Sequence, residues 1–203
     1  SFLGAKFNGG ALFRNAQFDG DANFIDAQFS VGSDFRGAKF GGLINLTNFR
    51  FDVFRVSWQT LKDHLYYDGA TYLSLVKSFK DLEQFEDADA CYYQYRKKRR
   101  KGLKGLPKIL DWISLIAYGY GVHPEFPLIG LVVMFLLSAG VYLYGNQVHS
   151  LPKALDLSIV ILTTTTQIGN LTEFCRFWSI LERILGWLLM ASFLVALAKK
   201  TIR

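Results

Sequence analysis

The sequence predicts a mixed membrane protein in three parts: a repeating N-terminal coil, an α-helical linker, and a C-terminal part with two transmembrane helices around a short re-entrant helix and loop. Three observations predict it. A bulky apolar residue recurs at alternating gaps of five and six, at Phe2, Phe7, Phe13, Phe18, Phe24, Phe29, Phe35, Phe40 and Leu46. Two apolar segments, 126–144 and 178–198, flank a shorter one at 151–162. A Thr-rich stretch ending in glycine then separates the short segment from the second long one.

The repeat comes first along the chain. A small residue stands two places before most of the bulky ones: Ala5, Ala11, Ala16, Ala22, Ala27, Ser33 and Ala38. A period of about five fits neither the roughly 3.6 residues of a helical turn nor the two of a strand. It fits a coil that turns a corner once per unit and buries one aromatic and one small side chain there. Gly9, Gly10, Gly20, Gly32, Gly37, Gly41 and Gly42, with neighbouring Asn and Asp, are expected to supply the positive-φ positions of those corners.

The stretch GAKFNGGALFRNAQFDGDANFIDAQF resembles the pentapeptide-repeat family, whose unit is close to A-x-F/L-x-x. The resemblance implies a right-handed quadrilateral β-helix over residues 1–57, with Phe and Leu stacked along its axis and bulged corners in the longer units. The chain begins without Met and inside a repeat, so an N-terminal truncation of this domain is expected. Some members of that family mimic DNA, which requires a long acidic rod. Residues 1–58 carry six basic and five acidic side chains, which argues against it.

Residues 58–108 read as a cytoplasmic helical linker. Tyr72, Leu75, Val76, Phe79 and Leu82 form one apolar stripe. A second helix is expected to start near Asp87 and to carry Ala88, Cys91, Tyr92 and Tyr95 into the basic run at 96–108, giving an αα-hairpin joined at Glu86 and Asp87. The hairpin reads either as a packed linker or as a coupler between the coil and the C-terminal part. Residues 109–125 read as an interfacial segment, amphipathic and aromatic over 109–118 and followed there by Gly119, Tyr120 and Gly121. They are expected to lie along the membrane interface before Pro124 and Pro127 turn the chain into the first span.

Of the 203 residues, 51% are hydrophobic, the net charge is +6, and the apolar residues concentrate in the last third. Each long apolar segment suffices to cross a hydrocarbon layer of roughly 30 Å, whereas 151–162 is too short. The first fifty residues hold no continuous apolar run, so no signal peptide is expected. Basic residues lie before the first span and, as Lys199, Lys200 and Arg203, after the second; the loop between carries only Lys153 and Arg176. The positive-inside rule then predicts a multi-pass plasma (inner) membrane protein with both termini cytoplasmic. Beside a span, the basic run is expected to meet anionic lipid headgroups rather than nucleic acid.

Residues 126–203 resemble the two-transmembrane potassium-channel family. Ser150 and Pro152 match the start of its pore helix, and Glu182, Gly186 and Trp187 match its E-x-x-x-G-W inner helix. The filter pattern Thr-Val-Gly-Tyr/Phe-Gly-Asp aligns with Thr165, Thr166, Gln167, Ile168, Gly169 and Asn170. The resemblance implies that these six residues form the selectivity filter and ion pathway, that Gly186 is a gating hinge, and that the chain works as a homotetramer. Thr165 and Gly169 match; Gln167, Ile168 and Asn170 depart. Potassium selectivity uses rings of inward backbone carbonyls. Gln at a positive-φ filter position costs roughly 1–2 kcal/mol, and Asn170 removes the carboxylate that braces the filter.

The expected function is therefore a pore-loop cation channel with weak or altered selectivity for K+ and/or Na+, using no cofactor. The coil would be an assembly or gating module, open to an unidentified cytoplasmic ligand or protein. The alternative is a non-conducting membrane scaffold that binds a partner through the coil. No enzyme is expected: His64, His123 and His149 are scattered, and Cys91 and Cys175 fall on opposite sides of the predicted membrane.

Overall fold

The computed structural model describes residues 1–164 and 171–201. It forms two compact units, Ser1–Leu103 and Lys104–Arg203.

The first unit opens with ten two-residue strands: β1 (Lys6–Phe7), β2 (Ala11–Leu12), β3 (Gln17–Phe18), β4 (Ala22–Asn23), β5 (Gln28–Phe29), β6 (Ser33–Asp34), β7 (Lys39–Phe40), β8 (Ile44–Asn45), β9 (Arg50–Phe51) and β10 (Phe54–Arg55). They pair in parallel as four ladders, β1-β5-β9, β2-β6-β10, β3-β7 and β4-β8. Lys6 faces Gln28 and Ala22 faces Ile44, so four units of alternating length close one four-sided turn of a β-helix. The last rung, Ser33 to Phe54, is one residue shorter. Aromatic rings stack from turn to turn, Phe2 on Phe24 at 4.8 Å, Phe7 on Phe29 at 4.4 Å, Phe13 on Phe35 at 4.6 Å and Phe18 on Phe40 at 4.9 Å.

The corners differ from the glycine-led expectation. Positive φ falls at Gly4, Asn15, Asp26, Gly37 and Asn48, always in the five-residue units, with Gly32 as one further case. Gly9, Gly10, Gly20, Gly41 and Gly42 are not among the positive-φ positions. Asn and Asp tolerate the left-handed region because their short side chains bond locally. Gly41 and Gly42 serve close approach instead. A Cβ on Gly41 would stand 2.6 Å from the Asp19 carbonyl oxygen, and one on Gly42 2.6 Å from the Asp21 nitrogen.

Helices close the C-terminal end of the β-helix. They are α1 (Trp58–Leu61), α2 (Gly69–Asp81) and α3 (Phe85–Gly102). Leu65 makes a parallel bridge to Ile44, extending that side by one rung. Asp68 caps α2 by accepting from the Thr71 N–H at 2.9 Å. Trp58, Leu61, Tyr72, Leu75, Phe79, Ala88 and Cys91 join Phe24, Phe35, Phe54 and Val56 in one core, so the repeat and the hairpin share their apolar burial. The joint between α2 and α3 lies at Glu83, earlier than Glu86 and Asp87. Glu83 takes φ 59°, and the Gln84 N–H donates to the Phe79 carbonyl at 2.8 Å. This is a helix C-cap turn that usually carries glycine.

In the second unit, α4 (Leu106–Tyr118) ends in a 3₁₀ turn, Gly119–Gly121, whose three residues all have positive φ. A Cβ on Gly119 would stand 2.7 Å from the His123 Cβ, so the turn needs glycine there. The buried Tyr120 hydroxyl donates to the buried Asp111 carboxylate at 2.5 Å. Ile109, Leu110, Trp112, Ile113 and Ile116 stay exposed, so α4 presents an apolar face outward. Then follow α5 (Glu125–Tyr144), α6 (Leu151–Thr163) and α7 (Glu173–Thr201). Two helices, Glu125–Tyr144 and Glu173–Ala198, are long and apolar enough to cross a membrane. The second begins five residues ahead of the apolar segment seen in sequence, so Glu182 lies well inside it.

Candidate functional site

The candidate site is built where α6 meets α5 and α7. The C-terminal end of α5 packs closely on α7: a Cβ on Gly145 would run into the Cys175 sulfur and stand 3.2 Å from the Val141 carbonyl oxygen. Ser150 occupies the N-cap of α6 with extended φ/ψ, but its side chain makes no capping bond; Pro152 stands in the first turn, as expected. Ala154, Ser158 and Ile161 form the buried face of α6 at helical spacing. Ile161 packs with Tyr142 of α5 and Cys175 of α7, supported by Leu157 and Trp178.

A polar cluster sits inside this apolar packing. Glu182 on α7 is only 1% exposed. Its Oε2 accepts from the Tyr142 hydroxyl and its Oε1 from the Ser158 hydroxyl. Ser138, one turn from Tyr142 on α5, turns toward the same carboxylate and accepts from the Trp178 indole N–H at 3.0 Å. Buried carboxylates demand such donors, because desolvation without them costs several kcal/mol. The next residue, Arg183, donates through Nε to the Ile161 carbonyl at 3.2 Å. Carbonyls in the last turn of a helix lack intrahelical partners. In α6 the Ile161 carbonyl finds Arg183, while the Thr163 hydroxyl bonds back to the Ile159 carbonyl at 2.8 Å and the Thr164 hydroxyl joins the Thr164 N–H on the Val160 carbonyl at 2.6 Å.

Gly186 lies one turn beyond Glu182 and faces α6. A Cβ there would run into a Leu162 methyl and stand 3.1 Å from the Met134 Cε. With Trp187, Met190, Leu131, Ile159 and Thr163 it lines an apolar cavity of about 360 Å3. The filter residues Thr165, Thr166, Gln167, Ile168, Gly169 and Asn170 lie outside the described residues; the described chain reaches their threshold at Thr164, at the end of α6. Ser138, Tyr142 and Ser158 were not singled out in the sequence. The available signal was the hydroxyl of Ser158 in the short apolar segment and those of Ser138 and Tyr142 one turn apart in the first long one.

Part of the basic run is committed within the first unit. The Lys98 ammonium donates to the Tyr72 hydroxyl at 2.8 Å and the Leu65 carbonyl at 3.3 Å. Burial pulls its pKa below the usual lysine range. Among the described residues, no group of three or more His, Cys, Asp or Glu is placed to hold a metal ion.

Residues 2–53 match the family model for pentapeptide repeats, in nine copies. The N-terminal part of this chain is therefore a pentapeptide-repeat domain, in accord with its parallel ladders. No curated protein and no solved structure matches the chain.

Proposed function

We propose that the protein is a homotetrameric pore-loop channel of potassium-channel type that passes monovalent cations, K+ and/or Na+, with weak or altered selectivity. The observation that carries this reading is α6. It is too short to cross a bilayer, yet it is bonded through buried polar groups to two helices that are long and apolar enough to do so. It ends in two threonines at the start of segment 165–170. Irregular backbone at membrane depth is tolerated only where protein buries it or water lines it.

One copy supplies two such helices, so a central pore forms only between copies. Residues 165–170 line it, and Gly186 serves as the point where α7 bends. The chain crosses the plasma membrane twice with both termini cytoplasmic, α4 lies in the inner interface, and basic residues of 96–108 meet anionic headgroups. The pentapeptide domain then acts as the cytoplasmic assembly or gating module. The chain has no catalytic role in this reading.

The second reading is a non-conducting scaffold that holds a partner through the pentapeptide domain; Gln167, Ile168 and Asn170, which depart from the filter pattern, favour it. Gln167→Gly is the direct test. In reconstituted tetramers it is expected to raise the K+/Na+ permeability ratio, and an unchanged ratio in a conducting tetramer contradicts the filter assignment.

A further inference from the structure

We infer that Glu182 is the positioning residue for α6, the helix that leads to segment 165–170; the inference rests on the channel reading above. Among the described residues, its carboxylate is the one group that bonds both α5 and α6 from α7. The two oxygens divide the work: Oε2 takes the Tyr142 hydroxyl and Oε1 the Ser158 hydroxyl.

Stability alone does not call for a carboxylate here. A buried charged group replaced by an apolar side chain of similar volume often leaves a protein as stable or more so. What the carboxylate adds is direction. The packing of Ile161, Cys175 and Trp178 around it is apolar, and apolar contact is indifferent to small rotations and slides. Hydrogen bonds are not, because they weaken steeply away from linear geometry.

Arg183 makes the grip two-point. Ser158 and Ile161 are one turn apart on the same face of α6. Glu182 holds the first through its side chain, and Arg183 the second through its carbonyl at 3.2 Å. The side-chain bond fixes rotation about the axis of α6, and the carbonyl bond fixes its position along that axis. Thr163 and Thr164 are bonded back onto the Ile159 and Val160 carbonyls, so the described end of α6 moves with the rest of the helix.

The test uses the full chain reconstituted in liposomes, with K+/Na+ permeability ratio and hydrogen exchange of the α6 amides as readouts. Glu182→Leu removes both acceptors. Glu182→Gln keeps a polar contact to both helices, with its oxygen still accepting from Ser158 and its nitrogen donating to the Tyr142 hydroxyl oxygen. Ser158→Ala is expected to shift the ratio by about tenfold, the size of one lost hydrogen bond, and Glu182→Leu, which loses two, by at least as much. Their combination is expected to shift it no further than Glu182→Leu alone. Glu182→Gln is expected to stay near wild type. In exchange, the amides of residues 158–163 should lose protection in Glu182→Leu and keep it in Glu182→Gln. Glu182→Leu tetramers with the wild-type ratio and wild-type protection overturn the proposal, as do shifts that add independently. A wild type without flux removes the channel reading instead, and the exchange comparison then decides the proposal by itself.

Discussion

Asp34 is nearly buried on the outer side of the β-helix, with the Arg14 Nε at 2.5 Å and the Arg36 Nη2 at 2.7 Å from its Oδ2. The Arg36 guanidinium, aided by the Arg36 amide and by Arg14, holds its carboxyl well below the usual carboxylate range against the opposing effect of burial. A carboxyl depressed on folding adds stability above its unfolded pKa and loses that contribution as pH falls through the folded value. Asp34→Asn is therefore expected to lower the unfolding midpoint at neutral pH. With both arginines half exposed, the cost is about 1–2 kcal/mol. The gap between wild type and variant should narrow below about pH 4, as thermal melts across pH will measure. Cys91 behaves oppositely: burial pushes its thiol well above the usual range, so it should resist alkylation at pH 8 until denaturant opens the unit. At Gly186, a valine would press into Leu162 and Met134. Gly186→Val should cost about 1–3 kcal/mol of overpacking, read as a lower unfolding midpoint in detergent.

At the scale of elements, the sequence was most legible where period and burial agree. The alternating five and six spacing of Phe reads directly as four-sided turns, because each side of the coil must bury one ring on the ring below. The corners were less legible. Glycine is permissive of positive φ without requiring it, and here Asn15, Asp26 and Asn48 take the left-handed position while Gly41 and Gly42 make room for the neighbouring turn. The α2–α3 joint was misplaced for the same reason, since its left-handed residue is Glu83 rather than glycine. Glu83→Gly should remove that strain and stabilise the first unit by about 0.5–1 kcal/mol, measurable by urea unfolding. Of the candidate site, the short helix and its flanking helices were visible as apolar lengths. The cluster around Glu182 was not, because a single hydroxyl in an apolar segment becomes meaningful only when three helices converge on it.

At the scale of the whole molecule, both long helices keep large apolar side chains exposed, among them Leu128, Val132 and Leu136 on one and Ile180, Ile184 and Trp187 on the other. Water does not suit such surfaces in a contiguous patch; lipid and further copies of the chain do. The channel reading assigns the outer faces to lipid and the inner faces to neighbouring copies around a pore lined by residues 165–170. Its most direct test is ion flux from liposomes holding the purified full chain, under opposed K+ and Na+ gradients and across a range of pH and membrane potential. The reading predicts passive flux of both cations with weak preference between them. Absence of flux under every condition, in a preparation that is tetrameric and folded, would contradict it and leave the scaffold in its place.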